Sequence, residues 1–108
     1  MRILFDHGTP NPLISFLTAH TVTTAKDAGW DRLADGELLK AAEAAAFDLL
    51  PTTGKNMKGR QNLKGRTIAL VVLGNSQWRL VQRHVRRTAA AVNGASAGSY
   101  AEVEIPFD

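Results

Sequence analysis

The chemistry-bearing part of this chain begins at its start, in Met1 to Pro10 (MRILFDHGTP). Asp6 closes a short apolar run, Arg2-Ile3-Leu4-Phe5, that is long enough for one buried strand. His7-Gly8-Thr9-Pro10 then reads as a turn followed by the Thr and Pro of a helix start. A carboxylate at the C-terminal end of a first, central strand lies in the crevice where open α/β sheets bind ligands. Asp6 is therefore the first candidate for chemistry. A second candidate is the charge pattern. Every acid falls within Asp6 to Asp48 or Glu102 to Asp108, and the interval between carries Lys55, Lys58, Arg60, Lys64, Arg66, Arg79, Arg83, Arg86 and Arg87. Such a chain could hold a metal at one place and a polyanion at another, or could simply be unevenly charged at its surface.

Composition narrows the classes. With 108 residues, 44% hydrophobic and 21% charged, the chain is expected to form one globular domain, 1–108, with a single core. It has no cysteine, which excludes thiolate zinc sites, thiol catalysis and disulfides. No apolar run approaches the roughly 18 residues of a membrane span, and the N-terminus lacks the plan of a signal peptide, so a cytoplasmic protein without membrane contact is expected.

The elements that must position Asp6 alternate between strand and helix signals. Asn11 to Ala19 reads as a short helix with Leu13, Phe16 and Leu17 on one face. Thr21-Val22-Thr23-Thr24 reads as a second strand, and Ala25 to Leu33 as a loop or short turn. Asp35 to Ala46 is the clearest helix, with Leu38, Leu39, Ala42 and Ala45 at helical spacing. A third strand begins at Phe47-Asp48-Leu49-Leu50, where Pro51 points to a strand end or an edge. Thr52 to Gly65 is read as a polar loop. Thr67 to Leu73 is the strongest strand, apolar almost throughout. Ser76 is a candidate cap for a last helix, Gln77 to Asn93. After a small-residue loop, Tyr100 to Ile105 alternates like a half-exposed final strand.

That order argues a three-layer α/β domain whose mainly parallel central sheet is flanked by helices. On the last helix, Trp78, Val81, Val85 and Val92 share one arc while Arg79, Arg83, Arg86 and Arg87 fall on another. Four arginines without an acid repel one another, and a polyanion would relieve that. An acidic partner protein or plain solvent would also serve. The histidines His7, His20 and His84 lack metal-ligand spacing, and Gly54-Lys55 lacks the flanking residues of a phosphate loop.

Taken together, ILFD with a following Pro, the Gly-Trp loop, LADGELLKAAEAAAFDLL, TTGKN, QNLKGR and TIALVVLGNSQW resemble the small bacterial PIN-like proteins, relatives of PIN-domain ribonuclease toxins. The resemblance runs from Met1 to about Trp78. It implies a PIN-like fold, acids gathered at the C-terminal edge of a parallel sheet, and Mg²⁺ or Mn²⁺ used to cut RNA. By position, Asp6 and Asp35 correspond to metal-holding catalytic acids, with Glu37 a substitute or helper. Thr53, Lys55, Asn56, Lys58, Arg60, Arg79 and Arg83 would contact the substrate. The implied partners are RNA and a cognate antitoxin protein, with a homodimer left open.

One departure bears on the chemistry. The third acid expected in a Thr-Thr-Asp-Lys-Asn segment is replaced here by Gly54. Removing one of about three carboxylates leaves the cation, which acidifies the attacking water, with fewer protein ligands, so weakened metal binding is expected. The competing class is a non-catalytic nucleic-acid- or protein-binding module on the same fold. Simple structural roles compete residue by residue: Asp6 in a turn, Asp35 as a helix cap, Glu37 in a favourable dipole position.

Overall fold

The computed structural model describes residues 1–53 and 67–106, with Asp35 by its backbone alone. Five strands, β1 (Arg2–Phe5), β2 (Thr21–Thr24), β3 (Leu49–Thr52), β4 (Ala69–Leu73) and β5 (Tyr100–Val103), form one sheet in the order β2-β1-β3-β4-β5. Every neighbouring pair is parallel. The expected three-layer α/β architecture is thus present, here with a wholly parallel sheet.

Alternation along the strands builds the layers. Ile3, Phe5, Leu49, Ala69, Val71 and Leu73 pack into one core with Leu13, Leu80, Val81 and Val92. Leu4, Leu50 and Leu70, one residue out of phase, pack into a second core with Leu38, Leu39, Ala42 and Phe47. Period-two alternation sends neighbours to opposite faces. Because both faces are apolar, both are covered, as in all-parallel sheets generally.

The helix α1 (Asp35–Ala44) covers the second core. Alanines favour its backbone, and Leu38, Leu39 and Ala42 supply its buried stripe. Its end is a Schellman motif, with Phe47 N–H donating to Ala42 O at 3.0 Å and Ala46 N–H to Glu43 O at 3.1 Å. Ala46 therefore sits at φ 64°, a left-handed conformation that costs an L-residue about 1–2 kcal/mol. Arg2 Nη1 donates to Ala45 O at 2.7 Å, and its guanidinium carbon lies 4.5 Å from the centre of the Phe47 ring, so it completes this cap from outside the helix. Ala46→Gly removes the steric penalty at some cost in unfolded-chain entropy, and is expected to raise stability by about 0.5–1 kcal/mol in urea denaturation.

Several local expectations are corrected. The segment expected as a helix over Asn11 to Ala19 is a 3₁₀ helix over Asn11–Phe16. Its turns close through three-residue bonds, Leu13 N–H to Pro10 O at 3.1 Å and Leu17 N–H to Ile14 O at 3.0 Å. The last helix is not continuous: α2 (Trp78–Val81) tightens into a 3₁₀ turn at Gln82–His84 before α3 (Val85–Asn93). The buried Thr88 hydroxyl donates back to the His84 carbonyl at 3.1 Å, a bond that bends helices. Ser76 does not cap α2; the cap position is Gln77, whose N–H donates to Asn75 Oδ1 at 2.9 Å.

Pro51, read as a strand end or an edge, is one residue from the end of β3 and not in an edge strand. It lies in β3, a central strand, buried and paired in register with Val71 of β4. Its carbonyl is turned toward Thr9 in the loop after β1. The N–H it lacks belongs to that same side of the strand, where β1 and β3 are paired only at Ile3 and Leu49. Proline is tolerated because the ladder opens there. The polar loop expected over Thr52 to Gly65 falls largely at 54–66, outside the described residues.

At the far edge, Tyr100 Oη donates to Glu102 Oε2 at 2.9 Å. Burial, with that hydrogen bond and the Glu102 charge, pushes the phenol up to about 12. Because the folded value exceeds the ordinary 10, the associated stability is intact below about pH 10 and is lost as pH rises through about 12. Tyr100 is the single tyrosine, so a phenolate absorbance titration reads it alone. Glu102→Ala should lower its midpoint but leave it above 10, because burial is the larger cause.

Candidate functional site

The strand order places a topological switch point between β1 and β3, since the chain moves outward from β1 to β2 and then returns to the other side. The crevice above the C-terminal strand ends at that point is where doubly wound sheets bind ligands. Register fills it with named residues. Phe5 pairs with Thr24, so Asp6 stands level with Ala25, and Ala25 N–H donates to Phe5 O at 2.7 Å. Ile3 pairs with Leu49, so Asp6 also stands level with Thr52, and Thr52 pairs with Val72.

Asp6 is only 8% exposed. Thr52, fully buried, donates its hydroxyl to Asp6 Oδ2. Thr9 Oγ1 lies 2.5 Å from Asp6 Oδ1 and 3.0 Å from Pro51 O. A hydroxyl carries one proton, so the nearer, charged oxygen is its principal acceptor. Both carboxylate oxygens are thereby oriented, and each keeps a lone pair for a further partner. The turn that delivers Thr9 passes close by: a Cβ on Gly8 would meet Thr53 Oγ1 at 2.9 Å.

Beside Asp6 a cleft of about 380 Å³ opens over the ends of β1 and β2, lined among others by Asp6, His7, Asn11, Thr24, Lys26 and Asp27. Asp27 is the residue sequence reasoning missed. It stands three residues after β2, and its N–H donates to Thr24 Oγ1 at 3.1 Å, so a turn holds it over the strand end. The signal was its place just past a β-branched run, as Asp6 follows its own strand. A wider cleft of about 660 Å³, with Glu102 and Glu104, lies at the ends of β4 and β5. Glu102 is level with Val72, three strands from Asp6, roughly 14 Å at the usual strand spacing. Those acids cannot share one ion with Asp6.

The other expected site residues distribute as follows. α1 links two parallel strands, so it runs against them and begins at the same C-terminal rim. It packs on the face of Leu4 and Leu50, the face to which Asp6 and Thr52 belong by alternation. Asp35 therefore opens α1 on Asp6's rim and face. Ala34, not Asp35, occupies the cap position, and Glu37 Oε1 accepts the Ala34 N–H at 3.2 Å. Glu37 thus has a capping bond of its own. Thr53 is half-buried beside the site, 3.5 Å from Gly8 O. Arg79 and Arg83 are exposed on the opposite layer, whose helices cover the first core, so the fold does not bring them to Asp6's face. Lys55, Asn56, Lys58 and Arg60, with Gly54, lie outside the described residues.

Of the histidines, His20 joins the N-terminal ammonium, 3.2 Å from Nδ1, to Asn93 Oδ1, 2.7 Å from Nε2. It ties β1's start to α3. Comparison of the chain with family models, curated proteins and solved structures returns no match. Among the described residues, no helix is long and apolar enough to cross a membrane.

Proposed function

We propose that this chain is a PIN-like, metal-dependent endoribonuclease acting in the cytoplasm as the toxin half of a toxin–antitoxin pair. The observation that supports it is the buried Asp6 carboxylate at the switch point, oriented by Thr9 and Thr52 on the rim where α1 begins at Asp35.

The residues fit an open site for a hydrated cation and not a closed cage. Mg²⁺ commonly takes one or two protein carboxylates and keeps its waters. Asp6 and Asp27 share a cleft, and α1 opens with Asp35 on the same rim of the sheet. Among the described residues no three His, Cys, Asp or Glu side chains gather into a preformed metal group. Bound Mg²⁺ or Mn²⁺ would polarise a phosphodiester oxygen and acidify a water for attack on phosphorus. The chain's own part is to hold Asp6 in one rotamer through two hydroxyls and to bring Asp27 to the same cleft. Glu37, already bonded to Ala34 N–H, assists by steadying the start of α1. Thr53, Lys55, Asn56, Lys58 and Arg60 would position RNA phosphates.

The open metal group and Gly54 favour a second reading, a nucleic-acid- or protein-binding module that kept the fold without hydrolysis. Calorimetry with Mn²⁺ and a cleavage assay on single-stranded RNA separate the two. Metal binding with cleavage that disappears in Asp6→Ala supports the nuclease. RNA or protein binding indifferent to chelator and to Asp6→Ala supports the module. Gly54→Asp should raise Mn²⁺ affinity; an unchanged affinity would remove that segment from the site.

A further inference from the structure

We propose that Phe16 and Trp78, with the arginines that follow Trp78, form a docking platform for single-stranded RNA on the layer opposite α1. Phe16 is 49% exposed and, with Met1, is one of the two large hydrophobic side chains that the described residues leave open. A lone exposed phenylalanine is ordinary. This one is not alone: its ring centre lies 5.9 Å from that of Trp78, inclined at 40°. Trp78 is half-buried and packs against the first core, so one ring of the pair is anchored while the other faces solvent.

A row of cations follows the pair along the same layer. Arg79, Arg83, Arg86 and Arg87 follow along α2, the 3₁₀ turn and α3, all exposed. No acid occurs between Asp48 and Glu102, so α2, the 3₁₀ turn and α3 contribute none. An aromatic pair followed along the same layer by a row of cations suits a polymer with flat bases and a phosphate backbone. A duplex keeps its base faces stacked inside, so only a single strand offers them to Phe16. The choice of RNA over DNA rests on the nuclease reading above. The 3₁₀ segment that ends at Phe16 starts at Asn11, which lines the Asp6 cleft, and five steps at the 3₁₀ rise put Phe16 roughly 10 Å away. One strand crossing the rim could occupy both.

The test is fluorescence anisotropy in chelator, where no cleavage intervenes, with a labelled oligoadenylate of about 12 nucleotides. Phe16→Ala should weaken binding about tenfold, and Phe16→Tyr, which keeps the ring, should restore it. Arg86→Gln with Arg87→Gln should lower the slope of log affinity against log salt by about 1.4, near 0.7 per lost phosphate contact. These side chains are exposed, so folding is not at stake. Wild-type affinity in both variants, or equal affinity for duplex RNA, overturns the platform while leaving Asp6-dependent cleavage to be judged separately. Binding as described, with no cleavage in Mn²⁺, upholds the platform and sinks the nuclease.

Discussion

Asp6→Ala is expected to lower Mn²⁺-dependent RNA cleavage by about 10³-fold, the several kcal/mol of transition-state stabilisation that a well-held cation supplies. The same substitution should leave a cooperatively folded domain, and magnitudes say why. Removing the carboxylate deprives Thr9 and Thr52 of a charged acceptor, a loss of about 1.5–3 kcal/mol for each such bond. It also removes a charge that is only 8% exposed, whose burial opposes folding by a similar amount. Thr9 retains Pro51 O as an acceptor at 3.0 Å. The opposing effects should leave stability within about 2 kcal/mol of wild type, read from urea midpoints. Asp6→Asn sharpens the contrast, keeping shape and an acceptor oxygen while removing the charge. If it cleaves like wild type, Asp6 does not act through a cation.

Thr52→Val should destabilise the domain by about 2 kcal/mol, because a β-branched residue of the same shape leaves Asp6 Oδ2 without its buried hydroxyl donor. Thr52 is fully buried in a central strand, so water cannot replace the lost donor without opening the sheet. Thr52→Ser restores the donor and should recover most of the loss, apart from the missing methyl. A matched pair of denaturation curves measures this. Valine and serine variants of equal stability would mean that the bond contributes nothing net. Because the bond also orients Asp6, the valine variant should bind Mn²⁺ more weakly.

Much of the fold could be read locally. The apolar runs Ile3 to Phe5 and Ile68 to Leu73 demand cover on both faces, and that demand implies strands with helices above and below. Helical spacing of Leu38, Leu39 and Ala42 was enough to find α1. Errors fell where a distant residue decided. Pro51 read as a strand end or an edge, because proline lacks a donor; it lies near the end of a central strand, where β1 and β3 pair only at Ile3 and Leu49. Asp27 escaped notice since nothing in its neighbourhood announces that β2 ends beside β1.

By itself, then, the order of residues determined the layered α/β class, the position of Asp6 just past a strand, and a stretch without acids from 49 to 101. Only the tertiary structure decided that Thr9 and Thr52, 43 positions apart, meet on one carboxylate, and that the arginines lie on the other layer from it. The reason is that hydrophobic periodicity is a property of neighbours along the chain, whereas strand order and register are set by which surfaces pack across the whole sheet.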